Sequence, residues 1–312
     1  MKQIKIVFLD ANTLGTDVSL SPISSLGEYK SYESTTADLV IERIKGYDVV
    51  ITNKVYLGPN EIDSAPDLNL ICVAATGTNN VDMDYAKQKG IPVKNVIDYS
   101  TESVVQVTFM HILNLVGKAH YFDEYVKNGE YALSGCFTNA IVPFYELKGK
   151  RLGIIGMGHI GSRVAEVASV FGMQIAYYPT SGIAHCDKYP AYDLNKLLGD
   201  SDIVTIHAPL NERTKDLIKY EQLSRMKKEG YIVNMGRGGI INEEDLIKAL
   251  NDDVIAGAAI DVFTREPYSA EHPYFKIADK GKLQLSPHIG WASRETRETL
   301  INKIAENIKS VL

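Results

Sequence analysis

The 312-residue chain reads as an α/β protein built on parallel sheet, and three observations point there. From about residue 150 onward, short apolar runs rich in β-formers alternate with amphipathic segments, as successive βαβ units require. The first hundred residues repeat that alternation more weakly. Between one apolar run and one helical run lies a glycine-rich turn, Gly156-Met157-Gly158-His159-Ile160-Gly161. The length allows two domains, each with its own core.

Taken in order, Ile4 to Leu9 predicts a first strand that Asp10 stops, followed by strands at Val49 to Thr52, Leu70 to Ala74 and Pro92 to Lys94. Together they predict a smaller α/β unit. Thr101 to Val126 is the longest helical stretch, with Ser100 or Thr101 to cap it, and is placed to carry the chain from one unit to the other. Six strands follow: Arg151 to Ile155, Gln174 to Tyr178, Asp202 to Ile206, Tyr231 to Met235, Val254 to Ile260 and Lys282 to Leu285. Between the first two, Ile160, Val164, Val167, Ala168 and Phe171 share one helical face, and Gly172 ends the helix. Glu295 to Leu312 is again helical in pattern and suits docking on either unit.

Composition narrows the function. A hydrophobic fraction of 45%, 23% charged residues and a net charge of −6 describe a globular chain for which a nucleic-acid partner is not expected. No apolar stretch reaches the roughly 18–20 residues of a membrane helix, so no membrane partner is expected either. Cys72, Cys136 and Cys186 are odd in number and far apart, which suits reduced thiols and a cytoplasmic location. No metal site is expected.

A GxGxxG hexamer alone is weak, but here the first glycine follows a strand and the third opens a helix, which is what binding a dinucleotide pyrophosphate demands. Glycine permits the tight turn, and the helix N-terminus stabilises the phosphate charge. The acid that normally holds the adenine ribose belongs about twenty residues on. Tyr178 stands there instead. Without a carboxylate the main barrier to a 2′-phosphate is gone, yet the nearest following cation is Lys188, and Thr180, Ser181 and Gly182 offer only neutral donors. The expectation is NAD, weakly preferred, with NADP open.

Open α/β sheets bind ligands beyond their strand C-termini, and three charged residues fall there. Arg237 follows the fourth strand of the larger unit in Asn234-Met235-Gly236-Arg237-Gly238-Gly239; Glu266 follows the fifth and precedes Pro267; His288 follows the sixth in Ser286-Pro287-His288. Of the other histidines, His111 sits in an apolar helical stretch and reads as core or interface packing, and His159 is a variable position of the glycine turn.

Thr76-Gly77-Thr78-Asn79-Asn80-Val81-Asp82, the glycine turn, His207-Ala208-Pro209-Leu210 with Thr214, Asn234 to Gly238, Asp261 to Pro267 and Ser286-Pro287-His288-Ile289-Gly290-Trp291 occur in that order. Over essentially its whole length the chain thereby resembles the D-isomer-specific 2-hydroxyacid dehydrogenases. The resemblance implies a Rossmann-type cofactor domain, residues 99–287, inserted into a smaller flavodoxin-like α/β substrate domain, residues 1–98 plus 288–312. It implies that Arg237 binds the substrate carboxylate, that the Thr76 and Gly77 N–H groups hold its other side, and that His288 is the acid/base with Glu266 as its partner. Tyr99 and Trp291 match places near the substrate or serve as core, and Asn53 and Lys54 are looser candidates. The cofactor-binding set is Gly156, Gly158, His159, Ile160, Gly161, Tyr178, His207, Ala208, Pro209, Thr214, Met235, Gly236, Asp261 and His288.

The implied activity is reduction of small 2-oxo acids to D-2-hydroxy acids across an interdomain cleft, with hydroxypyruvate or glyoxylate first and pyruvate next. The partner expected besides substrate is a second copy, a homodimer in which Phe122 to Leu147 forms an exchanged arm; the alternative for that stretch is an ordinary surface loop and helix. A rival reading of the whole chain is a dinucleotide-sensing protein akin to transcriptional corepressors of the same fold. Formate dehydrogenases are also similar but carry an amide where Glu266 stands.

Overall fold

A computed structural model describes residues 3–311, in two units: residues up to Ser100 together with those from Trp291 onward, and Thr101–Gly290. In the first, β1 (Lys5–Phe8), β2 (Glu28–Ser31), β3 (Val49–Thr52), β4 (Leu70–Val73) and β5 (Val93–Lys94) form one parallel sheet in the order β2-β1-β3-β4-β5. That is the 2-1-3-4-5 order of flavodoxin-like folds. Strands β3 and β4 are buried throughout, as their apolar runs predict. Strand β2 is an addition to the sequence reading. Its Glu-Tyr-Lys-Ser sequence is largely exposed at the sheet edge, where charge guards against further pairing and removes the apolar signal.

The C-terminal helix, Arg294–Lys309, is capped by Ser293 Oγ accepting from Thr296 N at 3.3 Å. It packs Leu300, Ile301, Ile304, Ala305 and Ile308 against Ile6, Phe8 and Val49, which settles its docking on this unit. Leu312, the expected end of that helix, lies outside the described residues.

In the second unit β6 (Arg151–Ile155), β7 (Gln174–Tyr178), β8 (Ile203–Ile206), β9 (Tyr231–Asn234), β10 (Gly257–Ile260) and β11 (Leu283–Leu285) are parallel in the order β11-β10-β9-β8-β6-β7. All six expected runs are strands. A single bridge between Tyr177 and Ala191 continues the sheet past β7. It occupies the place of the third strand in the 3-2-1-4-5-6 dinucleotide-binding order, and Pro190, which has no N–H, keeps it short. The order reverses between β6 and β8, so the ligand crevice belongs above those two strand ends.

The expected helix Thr101 to Val126 is two helices, Thr101–Gly117 and Ala119–Lys127, because Lys118 takes left-handed angles (φ 52°, ψ 34°) after Gly117. Beyond them Leu133, Phe137 and Ile141 are each 89% exposed, an unusual display of large apolar side chains. Among the described residues no helix is long and apolar enough to cross a membrane.

Candidate active site

The glycine turn follows β6. Gly156 has φ +94°, and a Cβ on it would stand 2.9 Å from Ala208 N; a Cβ on Gly161 would stand 2.2 Å from Gly156 O. Only glycine lets the turn fold against the His207-Ala208 segment and against its own helix. A Cβ on Gly158 would meet nothing within 4 Å, and Gly158 caps the helix His159–Val170 without a side-chain bond. The N-terminal end of a twelve-residue helix therefore lies beneath clear space, and such an end favours an anion.

His207, after β8, adds an independent sign of a missing partner. The residue is only half-buried as a whole, yet both ring nitrogens are buried and bond to no group among the described residues. Burial pushes its pKa down to about 3, so the imidazole is neutral. These features fit a bound dinucleotide. The turn residues His159 and Pro209 are exposed, Ile160 is half-buried, and Ala208, Met235 and Gly236 are buried. Thr214 is a turn staple: its hydroxyl donates to Pro209 O (2.6 Å) and accepts from Asn211 N (2.8 Å). Tyr178 ends β7 with its carbonyl accepting from Gly156 N at 3.2 Å.

The loop after Tyr178 departs from the sequence expectation of neutral donors alone. Lys188 lies over the Tyr189 ring, 5.3 Å from its centroid, but Arg213, far along the chain, donates from Nη1 to Ser181 O at 2.5 Å.

Beyond β9, β10 and β11 the charged residues converge. Glu266 Oε2 lies 2.6 Å from His288 Nδ1, while Glu266 Oε1 accepts from Phe263 N at 2.9 Å. The carboxylate thus fixes a proton on Nδ1 and leaves Nε2 as the working nitrogen, which has no partner among the described residues. Arg237 is exposed, with Nη1 donating to Gly236 O at 2.8 Å and its other donors open. Its loop is bracketed by buried Asn234, which donates to Arg237 O (2.9 Å) and accepts from Gly236 N (3.1 Å). A Cβ on Gly238 would stand 1.9 Å from Phe263 C, so the Arg237 and Glu266 loops touch backbone to backbone.

His288 has φ +54°, a conformation that non-glycine residues hold only under constraint. Asp261 supplies the constraint. Its carbonyl accepts from His288 N (2.8 Å), and its buried carboxylate accepts from Ile289 N (2.9 Å), Gly290 N (2.8 Å) and Ser286 Oγ (2.6 Å). Since the Ser286 hydroxyl donates to Asp261, His111 Nε2 donates to Ser286 Oγ at 2.9 Å. Burial lowers the His111 pKa. His111 is therefore more than packing: it is the far end of a relay that holds the His288 turn. These bonds also place His288 with Thr101–Gly290, whereas the sequence reading began the substrate domain at residue 288.

In the first unit, Asn95 Nδ2 donates to Thr76 O (2.6 Å) and the Thr76 hydroxyl donates to Val96 O (3.0 Å). The Thr76 and Gly77 N–H groups bond to nothing among the described residues. Buried Asp10 accepts from Asn53 N (2.8 Å) and Lys54 N (2.7 Å), fixing the loop after β3; burial raises its pKa against those bonds. Sequence reasoning took Asp10 only as a strand stop, although its strand-end position was the available signal. Tyr99 and Trp291 form an edge-to-face pair, centroids 6.4 Å apart, on the N-terminal core. Among the described residues no group of three or more His, Cys, Asp or Glu is placed to hold a metal ion.

A parallel sheet with an anion-ready glycine turn at its switch point defines the dinucleotide-binding class of α/β proteins. Comparison with known proteins narrows the class. Residues 109–290 match the family described as D-isomer specific 2-hydroxyacid dehydrogenase, NAD binding domain. A glycerate dehydrogenase of Methylorubrum extorquens is 34% identical over 98% of this chain and 95% of its own, and a hydroxypyruvate reductase of Blautia hydrogenotrophica is 33% identical over 99% and 97%. The crystal structure of D-lactate dehydrogenase from Aquifex aeolicus, complexed with NAD and lactic acid, superposes with a TM-score of 0.83 at 25% identity, covering 98% and 94%. The chain belongs to the D-isomer specific 2-hydroxyacid dehydrogenase family. It is an oxidoreductase of 2-oxo and 2-hydroxy acids with an NAD-binding domain.

Proposed function

We propose that the protein reduces small 2-oxo acids to D-2-hydroxy acids, with His288 as proton donor, Glu266 as its partner and Arg237 as the carboxylate anchor. The observation that carries this is the 2.6 Å contact of Glu266 Oε2 with His288 Nδ1, which leaves Nε2 without a partner among the described residues, while the Arg237 loop touches the Glu266 loop backbone to backbone. Arg237 grips the carboxylate through its planar fork and polarises the adjacent carbonyl. The Thr76 and Gly77 N–H groups are the proposed further donors to that carboxylate. His288 Nε2 gives its proton to the carbonyl oxygen, and Glu266 stabilises the imidazolium that precedes transfer. In the oxidative direction Nε2 takes the proton back. The nicotinamide, when bound, supplies or accepts the hydride. Asp261, Met235 O, His207 and the glycine turn are the proposed groups that hold it.

Hydroxypyruvate and glyoxylate lead the substrate order, with pyruvate next, and the glycerate and hydroxypyruvate enzymes among the relatives support that order. The exposed Leu133, Phe137 and Ile141 support a homodimer joined through residues 122–147. Three free cysteines support a cytoplasmic location. Initial rates on 2-oxo acids from glyoxylate to phenylpyruvate, each with NADH and NADPH, test the reading. It predicts highest kcat/KM for hydroxypyruvate or glyoxylate; absence of turnover with every 2-oxo acid would contradict it and favour a dinucleotide-sensing role.

A further inference from the structure

We propose that Arg213 forms, with the turn Pro179–Gly182, a subsite for the 2′-phosphate of NADP, so that this enzyme binds NADPH more tightly than NADH. The inference rests on the dinucleotide site described above and adds a residue that decides between the two coenzymes.

The strand order β8-β6-β7 sets the glycine turn between two loops, one after β7 and one after β8. The β8 loop crosses the glycine turn, with Ala208 N 2.9 Å from the position of a Cβ on Gly156. It then reaches the β7 loop, where Arg213 Nη1 donates to Ser181 O at 2.5 Å and lies 3.8 Å from the position of a Cβ on Gly182. The contact ties down one of five guanidinium donors. The rest are exposed and bond to no group among the described residues.

The β7 loop is made to receive an anion rather than a ribose diol alone. Residues 178–182, Tyr-Pro-Thr-Ser-Gly, contain no carboxylate to repel a phosphate or to accept ribose hydroxyls. Gly182, with φ +81°, closes a tight turn by donating to Pro179 O at 2.9 Å, and the Thr180 hydroxyl bonds to no group among the described residues. His185 adds positive character. Its Nε2 lies 2.8 Å from Met157 O in the glycine turn and its Nδ1 lies 3.2 Å from Ile183 O, two acceptors that together favour the doubly protonated ring and raise its pKa. A planar guanidinium is the side chain best matched to phosphate oxygens.

Isothermal titration of the whole enzyme with 2′,5′-ADP and with 5′-AMP isolates this contact from catalysis, and NADPH and NADH dissociation constants from nucleotide fluorescence extend it. The wild type should bind 2′,5′-ADP at least about tenfold more tightly than 5′-AMP, as expected of a hydrogen bond to a charged group. Arg213→Ala should abolish that advantage and leave 5′-AMP and NADH affinities within about twofold, while Arg213→Lys should retain part of it. Equal binding of the two nucleotides by wild type, or an advantage that survives Arg213→Ala, would overturn the subsite. Loss of NADH affinity equal to that of NADPH in Arg213→Ala would also overturn it, since the residue would then only shape the loop. If neither 5′-AMP nor NADH binds the wild type, the dinucleotide site itself is what fails.

Discussion

Glu266 Oε2 and His288 Nδ1 stand 2.6 Å apart, joining the loops that follow two adjacent strands, β10 and β11. A carboxylate so placed orients the ring and fixes the proton on Nδ1. Glu266→Gln keeps the shape and removes the charge. It should lower kcat for oxo-acid reduction by roughly tenfold to a hundredfold, within the span of general acid catalysis, while NADH affinity stays within about twofold. Steady-state rates and a fluorescence titration of the same preparation check both halves.

Asp261 holds the His288 turn by accepting three hydrogen bonds on a buried carboxylate. Asp261→Asn turns one acceptor into a donor facing N–H groups, at a cost of about 3 kcal/mol in stability. Ser286→Ala, at the middle of the relay from His111, should cost about 1 kcal/mol. Urea unfolding of both variants gives the order; equal stability of Asp261→Asn and wild type would mean the turn is held by other contacts.

The glycine turn separates steric from ligand effects. Gly158→Ala meets open space, so the fold should lose no more than about 1 kcal/mol, the scale of a helix-cap change, while NADH binding weakens by tenfold or more. Gly161→Ala places a methyl against Gly156 O and should lose stability and binding together. Thermal melts with and without NADH distinguish the two patterns.

His207 predicts a pH dependence of stability. Its pKa is pushed down to about 3 in the fold against 6.5 for a free imidazole, so between these values the unfolded chain binds the extra proton. The stability this neutral ring contributes is present above pH 6.5 and is lost as pH falls toward 3, by at most about 1.4 kcal/mol per pH unit. From pH 7.5 to 5 the wild type should therefore lose roughly 2 kcal/mol more than His207→Phe. Parallel losses in denaturant unfolding would refute a buried neutral imidazole.

Much of this architecture was legible in the chain. Strands β6 to β10 announce themselves because burial on both faces makes them largely apolar runs, and Arg237, Glu266 and His288 are readable as charges in the segments that follow β9, β10 and β11. Strand β2 was hidden because an edge strand need not be apolar, and the break at Lys118 because helical periodicity continues across it. His111 looked like packing, since its partner Ser286 lies 175 residues away and only the fold joins them. Arg213 is hidden for the same reason: it lies 32 positions along the chain from Ser181, and only the fold brings it there from the neighbouring loop.

Proton transfer by His288 is the central claim, and single-turnover mixing tests it most directly. NADH-loaded His288→Asn, mixed with excess hydroxypyruvate, is followed by the loss of nicotinamide absorbance. The account predicts NADH affinity near that of wild type and a transfer rate lowered by at least about a hundredfold, the contribution of a positioned general acid. A transfer rate within a few-fold of wild type would contradict it.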